Sequence, residues 1–272
     1  MKILISVDIE GVAGVFHPEQ TRPGNPEYER ARRLMTMEAN AVIDGALAGG
    51  ANDILVNDSH GSFRNLLPDL LHAQASMVLG KPRVLGMMSG VETGVHAVML
   101  VGYHGRSQSR GILAHTINSF AFARVWLNDR ELGESGIYGA LAGEFGVPVI
   151  FGSGDDIFVE EARPQFPLAQ LLALKTAQGA SSGISRSTTQ ALAMLAEGAQ
   201  AAVKQLASAR PYVLQPPIIC RLQAQSTALA DLFAQLPMVE RIDAVSIAFT
   251  APSVQYAVRL LNSMSAMSFM LR

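Results

Sequence analysis

Asp8 and Glu10 stand two residues apart in "SVDIEG" (residues 6–11), directly after the apolar run Ile3–Ile5. In an extended strand, positions i and i+2 point to the same face. Carboxylates are seldom buried without partners, so this pair predicts something positive beside it. Three further segments carry donors of matching chemistry: His60 in "NDSHG" (57–61), His104 in "GYHG" (102–105) and His115 in "ILAHT" (112–116). Glu134 opens the helical pattern "GESGIYGALAGEFG" (133–146). Asp, Glu and His together form the ligand set that zinc or manganese accepts. A single divalent ion seldom needs five protein ligands, whereas two ions sharing a bridging carboxylate do. That chemistry is a dinuclear hydrolase site. On spacing alone a plainer reading stands beside it, in which the acidic groups accept backbone N–H bonds at strand ends and the histidines are structural. Asp58 fits either a turn or a partner that orients His60. His17, His72 and His96 lie outside any carboxylate-bearing motif and are expected to be structural. "GSGDD" (152–156) is expected to be a Gly-rich turn before a helix, because Asp155 and Asp156 would repel an anion.

The elements that must position these residues alternate between short apolar runs and helical patterns, which predicts an α/β fold with a mostly parallel central sheet flanked by helices. Strands are expected over 2–7, 53–57, 96–101 and 147–151, a hairpin over 124–131 turning at "NDR", and helices over 27–48 and 134–146. In open α/β sheets ligands bind outside the carboxyl ends of the strands, where Asp8, Glu10, His60 and His104 fall. Residues 168–175 fit strand or helix equally, since a short apolar run does not decide between them. A helix over 188–207 is followed by strand, helix, strand and helix patterns over 217–223, 227–235, 244–249 and 254–267. This divides the chain into a metal-binding α/β domain, 1–187, and a smaller α/β C-terminal lobe, 188–272. Met264, Met267 and Met270 at helical spacing are expected to pack in the core or an interface.

The net charge of −2 and the lack of a long Lys/Arg cluster argue against nucleic acid or an anionic membrane as partner, and favour a small polar substrate. The single cysteine, Cys220, cannot form an internal disulfide, and no basic, apolar leader precedes the first strand; both fit the cytoplasm. Apolar residues make up 49% of the chain, yet no stretch approaches the roughly 18 uninterrupted apolar residues of a membrane helix. The surplus predicts a buried subunit interface and hence a homo-oligomer.

"SVDIEG", "NDSHG", "GYHG", "AHT" and "LNDRELGE", in this order and at these distances, resemble the zinc-dependent D-aminopeptidases of the dipeptide-transport operon family, whose S-x-D-x-E-G signature marks a metal site. The likeness runs over roughly residues 1–160 and thins to "GISRS" (183–187) beyond. It implies that Asp8 bridges two zinc ions, that Glu10, His60, His104 and Glu134 complete their shells, and that His115 is the catalytic group outside them. The stretch from His115 to Glu134 is a residue longer than the family's spacing. The implied activity is release of an N-terminal residue, a D-amino acid, from short peptides by a metal-activated water, with His115 stabilising the oxyanion or handing a proton to the leaving amine. Another dinuclear amidohydrolase, esterase or phosphoesterase, or a metal-binding scaffold without turnover, are the alternatives. Only Arg130 lies within these motifs to hold a phosphate. Members of the family form a self-compartmentalising, ring-shaped decamer, and the same assembly is expected here.

Overall fold

Ile3, Leu4, Ile5 and Val7 have no solvent exposure. A parallel strand covered on both faces carries an unbroken apolar run rather than an alternation. In the computed structural model, which describes residues 1–272, they form β1 (Lys2–Val7) inside a sheet. Then follow α1 (Pro26–Ala48), β2 (Asp53–Asp58), β3 (Ala75–Val78), β4 (Ala97–Tyr103), β5 (Phe122–Leu127), β6 (Arg130–Glu131) and α2 (Glu134–Glu144). Next come β7 (Val149–Asp155), α3 (Asp156–Ala162), β8 (Gln170–Gly179), β9 (Ser182–Ser185) and α4 (Thr188–Lys204). The chain ends with β10 (Ile218–Ala224), α5 (Thr227–Phe233), β11 (Glu240–Arg241), β12 (Ser246–Ala251) and α6 (Val254–Met267).

The main sheet has the order β3-β2-β1-β4-β7-β8-β9, parallel except for the edge strand β9. The second sheet, β11-β12-β10-β5-β6, is antiparallel. The expected α/β class with a mostly parallel central sheet and a smaller second lobe is therefore observed. One core lies between the main sheet and α1 and α4, built on Val42, Ile43, Leu195 and Val203; the other lies between the two sheets with α2, α5 and α6, built on Phe122, Tyr138, Phe233 and Leu261.

Helix α1 starts where Asn25 accepts from the Tyr28 N–H and Pro26 fills the first turn, with Glu27 and Glu29 favouring its positive end. It packs on α4 so closely that a Cβ added at Gly45 would lie 2.2 Å from the Ala196 carbonyl oxygen.

The sheets do not divide at residue 188. Strand β5, with β6 at its outer edge, leaves the first part of the chain to pair with β10, and α4 packs on α1 and the main sheet. The 168–175 run is strand β8, and β3 and β9 are short, partly exposed strands that no apolar pattern marks. "GSGDD" is the end of β7 running into α3, with Asp155 capping the helix, rather than a separate turn. Met264 is buried in the core and Met267 packs against it, whereas Met270 is exposed. No helix is long and apolar enough to cross a membrane.

The Gly45 contact makes a direct prediction. Gly45→Ala should lower unfolding stability by about 1–3 kcal/mol, the usual cost of overpacking. Urea denaturation measures it, and an unchanged midpoint would show that α1 and α4 separate without penalty.

Candidate metal centre

The register of the main sheet pairs Val7 with Asp58 on one side and with Val101 on the other, so the chain segments bearing Asp8, His60 and His104 leave three adjacent strands at the same rim. Immediately after β1 the chain passes under the end of β4. The Gly11 N–H donates to the Gly102 carbonyl at 2.7 Å, and a Cβ on Gly11 would lie 1.9 Å from the Tyr103 oxygen. Only glycine fits this crossing, which explains why the acidic pair is followed by one. Ser6 ties the rim from below: its hydroxyl lies 2.6 Å from Ser59 Oγ and 2.7 Å from the Tyr103 hydroxyl, and donates to the Met87 carbonyl at 2.8 Å.

All six predicted residues converge. His60 Nδ1 lies 3.0 Å from Glu10 Oε2 and 3.4 Å from Asp8 Oδ1. His104 Nε2 lies 3.4 Å from Asp8 Oδ2 and 3.6 Å from Glu134 Oε2. His115 Nε2 lies 3.5 Å from Glu134 Oε1, and its ring stacks on that of His104 at 4.3 Å. The two oxygens of Asp8 thus face opposite halves of the site, one toward His60 and one toward His104. Donor atoms of Asp8, Glu10 and His104 lie within 4.8 Å of one another, and so do those of His104, His115 and Glu134. His115 therefore stands among the donor atoms rather than apart from them. Asn128 and Asp129 of the β5–β6 turn are left-handed, and Glu134 begins α2 with Oε1 accepting from the Ile117 N–H at 2.6 Å.

The second nitrogen of each ring identifies the tautomer. His60 Nε2 meets the Thr21 carbonyl at 2.8 Å, His104 Nδ1 the Gly105 carbonyl at 2.9 Å, and His115 Nδ1 the Leu113 carbonyl at 3.0 Å. A carbonyl only accepts, so these nitrogens carry the protons and the opposite nitrogens present lone pairs to the carboxylates. Lone pairs aimed at carboxylates need either a second proton on each ring or a cation between them. Glu10 Oε2 and His104 Nε2 are also buried without a hydrogen-bond partner. A divalent cation suits this donor set, and the carbonyl contacts are the outer partners that orient metal-binding imidazoles. His17, His72 and His96 do the reverse: each Nδ1 accepts a backbone N–H, from Glu19, Gln74 and Lys2, as expected of structural histidines.

Without a cation, protons do its work. Burial disfavours charge on His60 and His104, yet Glu10 and Asp8 beside the first, and Glu134 and Asp8 beside the second, push both well above the usual histidine range. Burial likewise opposes ionisation of Glu10 and Glu134, but the neighbouring histidines hold Glu10 well below the usual carboxylate range and Glu134 below it. Burial, with Glu10 next to it, raises Asp8.

Other residues support the site from outside it. Asp58 does not touch the His60 ring; it accepts from the Asn65 and Leu66 N–H groups and from Asn65 Nδ2, shaping the loop that carries His60. Asp155 accepts from the Ile112 N–H at 2.8 Å, and the Leu113 N–H donates to the Ala180 carbonyl at the β8–β9 tip, so two distant elements brace the His115 loop. Lys175 and Glu38, both buried, support the segment behind Glu10. Their only trace in the sequence is a charge inside an apolar stretch, "LLALKTA" and "MTMEANAV".

Fold and site together define an α/β protein with a buried, carboxylate-rich centre suited to divalent metal. The chain belongs to the D-aminopeptidase family Peptidase_M55, whose model matches residues 1–263. It is similar to a D-aminopeptidase of Bacillus subtilis (strain 168), at 35% identity over 175 residues, a match that spans 64% of this chain and 64% of that protein. Among solved structures it resembles the Zn-dependent D-aminopeptidase DppA from Bacillus subtilis, a self-compartmentalizing protease, with a TM-score of 0.96 and 27% identity over 99% of this chain and 98% of that one.

The pH response of the metal-stripped chain follows from these shifts. A raised histidine stabilises the fold fully below its ordinary value of about 6.5, and that contribution is lost as pH rises through the raised value. A lowered carboxylate contributes above its ordinary value of about 4.3 and loses that contribution as pH falls through the lowered one. The chelator-treated protein should therefore melt at a higher temperature near pH 6 than near pH 9, and added zinc should raise the melting temperature most at the alkaline end, where protons no longer compete. Equal melting temperatures at both values would mean that the histidines and carboxylates do not share charge in this way.

Proposed function

We propose that this protein is a dinuclear zinc D-aminopeptidase that releases the N-terminal D-residue from short peptides. The observation that carries the reading is the set of three imidazoles whose lone-pair nitrogens are turned onto three buried carboxylates by backbone carbonyls. Asp8, which faces both halves, would hold metal together with Glu10 and His60 on one side and with His104 and Glu134 on the other. Zinc held there supplies Lewis acidity and a nucleophile at neutral pH.

Peptide hydrolysis breaks the C–N bond, leaving a hydroxyl on the carbonyl carbon and a proton on the amine. His115 is placed to move that proton. Its Nδ1 is committed to Leu113, its Nε2 faces Glu134, and its side chain is 20% exposed where those of His104 and Glu134 are almost fully covered. Substrate therefore reaches the site from the side of His115 and His60, whose side chain is 13% exposed, while Asp8, Glu10, His104 and Glu134 remain enclosed.

The exposed apolar residues Phe269, Met270 and Leu271 at the C-terminal turn, with Leu168 and Ile184, support association into a ring of copies, a decamer by the family resemblance, that admits short or unfolded peptides to the sites. Cys220, buried and unpaired, suits a cytoplasmic chain.

Purified zinc-grown protein should contain two divalent ions per chain, cleave D-alanyl dipeptides in preference to their L-alanyl counterparts, and scatter light as a particle far larger than the 29.0 kDa chain. A metal content near zero would remove the centre, preference for the L-dipeptide would reverse the assigned stereochemistry, and an active monomer would remove the ring.

His115→Ala should retain the zinc and lose about 10²- to 10⁴-fold in turnover, the usual share of an acid–base group. Loss of one zinc with the side chain would instead make His115 a ligand, and unchanged turnover would take it out of the reaction.

A further inference from the structure

Lys175 is the one charged residue in the run Leu171–Ala177 of β8, and it is 1% exposed. A buried ammonium is costly unless its protons are all occupied. Here Nζ donates to the main-chain carbonyls of Glu10 at 2.5 Å and Val15 at 2.6 Å, and lies 5.1 Å from the centre of the Phe16 ring. Its hydrogen-bond partners are thus carbonyls, not carboxylates, and both belong to the segment that follows β1. The same segment is also held by Glu38 of α1, whose Oε1 accepts from the Ala13 N–H at 2.8 Å, and by Ser185 of β9, whose Oγ accepts from the Gly14 N–H at 3.0 Å.

A loop of Gly and Val has little of its own to keep it in one place. Two carbonyls five residues apart can be gathered by one donor only if it carries several N–H groups on a long stem, which among buried side chains is what a lysine offers. Because the first of these carbonyls is that of Glu10, a shift there swings the carboxylate that lies 3.0 Å from His60 Nδ1. We propose that Lys175 is a positioning residue for Glu10: by clamping the Glu10 and Val15 carbonyls it holds the Glu10 carboxylate in the zinc site and thereby sets zinc affinity. This rests on the zinc reading above.

The test compares zinc affinity, by competition with a chromophoric chelator, in the wild-type chain and in Lys175→Met, at a temperature where circular dichroism shows both folded. Partners that orient ligands typically cost 10- to 100-fold in metal affinity when removed, and that is the loss expected. Unchanged zinc affinity, even with a lowered melting temperature, would make Lys175 a packing residue and overturn the proposal. A wild-type chain that binds no zinc would instead overturn the zinc reading, and this inference with it. Should Lys175→Met not fold, Lys175→Gln, which keeps a shorter donor, is measured in its place; weakened zinc binding supports the clamp and wild-type binding overturns it.

Discussion

Three carboxylates share one small, water-poor space, and their mutual repulsion is the constraint to which everything around them answers. Unit charges about 4 Å apart repel by about 4 kcal/mol at an effective dielectric constant near 20. Asp8, Glu10 and Glu134 are each 5% exposed or less, so solvent does little to relieve this. Relief must come from positive charge among them, and the three histidines do not supply it as neutral rings, because each spends its N–H on a backbone carbonyl. A site of this kind is poised for a cation: the repulsion among the carboxylates becomes binding strength when a cation lies between them.

Holding such a cluster together asks for rigid elements that end close to one another, and the parallel sheet provides them. Adjacent strands in register deliver their following residues to one rim, so Asp8, His60 and His104 need no loop rearrangement to meet. The rim itself is crowded. Ser6, Ser59 and Tyr103 join hydroxyls below it, and Gly11 slides past the end of β4 with no room for a side chain. Close approach of backbone to backbone keeps the donor atoms within a few ångströms while excluding the water that would weaken their interaction.

Local pattern made part of this visible. Asp8 and Glu10 announce themselves because two carboxylates at i and i+2 follow an apolar run, and His60 and His104 because they close two further runs. The α/β class follows from alternation of period, and α1 from its apolar stripe and its Asn-Pro start. The rest depends on partners far along the chain. Lys175 clamps residues 160 and 165 positions away, and no local pattern says which carbonyls a buried lysine will find. The hairpin at β5 and β6 is legible as a hairpin, but its membership of a sheet with β10 and β12 is a matter of which apolar face covers it. A change of pattern along the chain, as at residue 188, does not by itself mark a change of packing partner, since β5 from before it pairs with β10 from after it.

The loop that carries His115 shows what aiming an imidazole demands of the backbone. Leu113 and Ile117 are both left-handed, with φ of 56° and 61°, a conformation that is unfavourable for a bulky side chain and an outlier for a β-branched one. Each has a definite consequence. The turn at Leu113 sends its N–H to the hairpin tip and its carbonyl to His115 Nδ1, and the turn at Ile117 sends its N–H onto Glu134 Oε1, leaving Oε2 toward His104. Were the loop relaxed to ordinary φ values, the imidazole would lose the contact that selects its tautomer and Glu134 the donor that orients it. Strain of this kind persists only where the surroundings over-determine it. Asp155, Ala180 and the start of α2 do so here, so the direction of His115 depends on elements from distant parts of the chain.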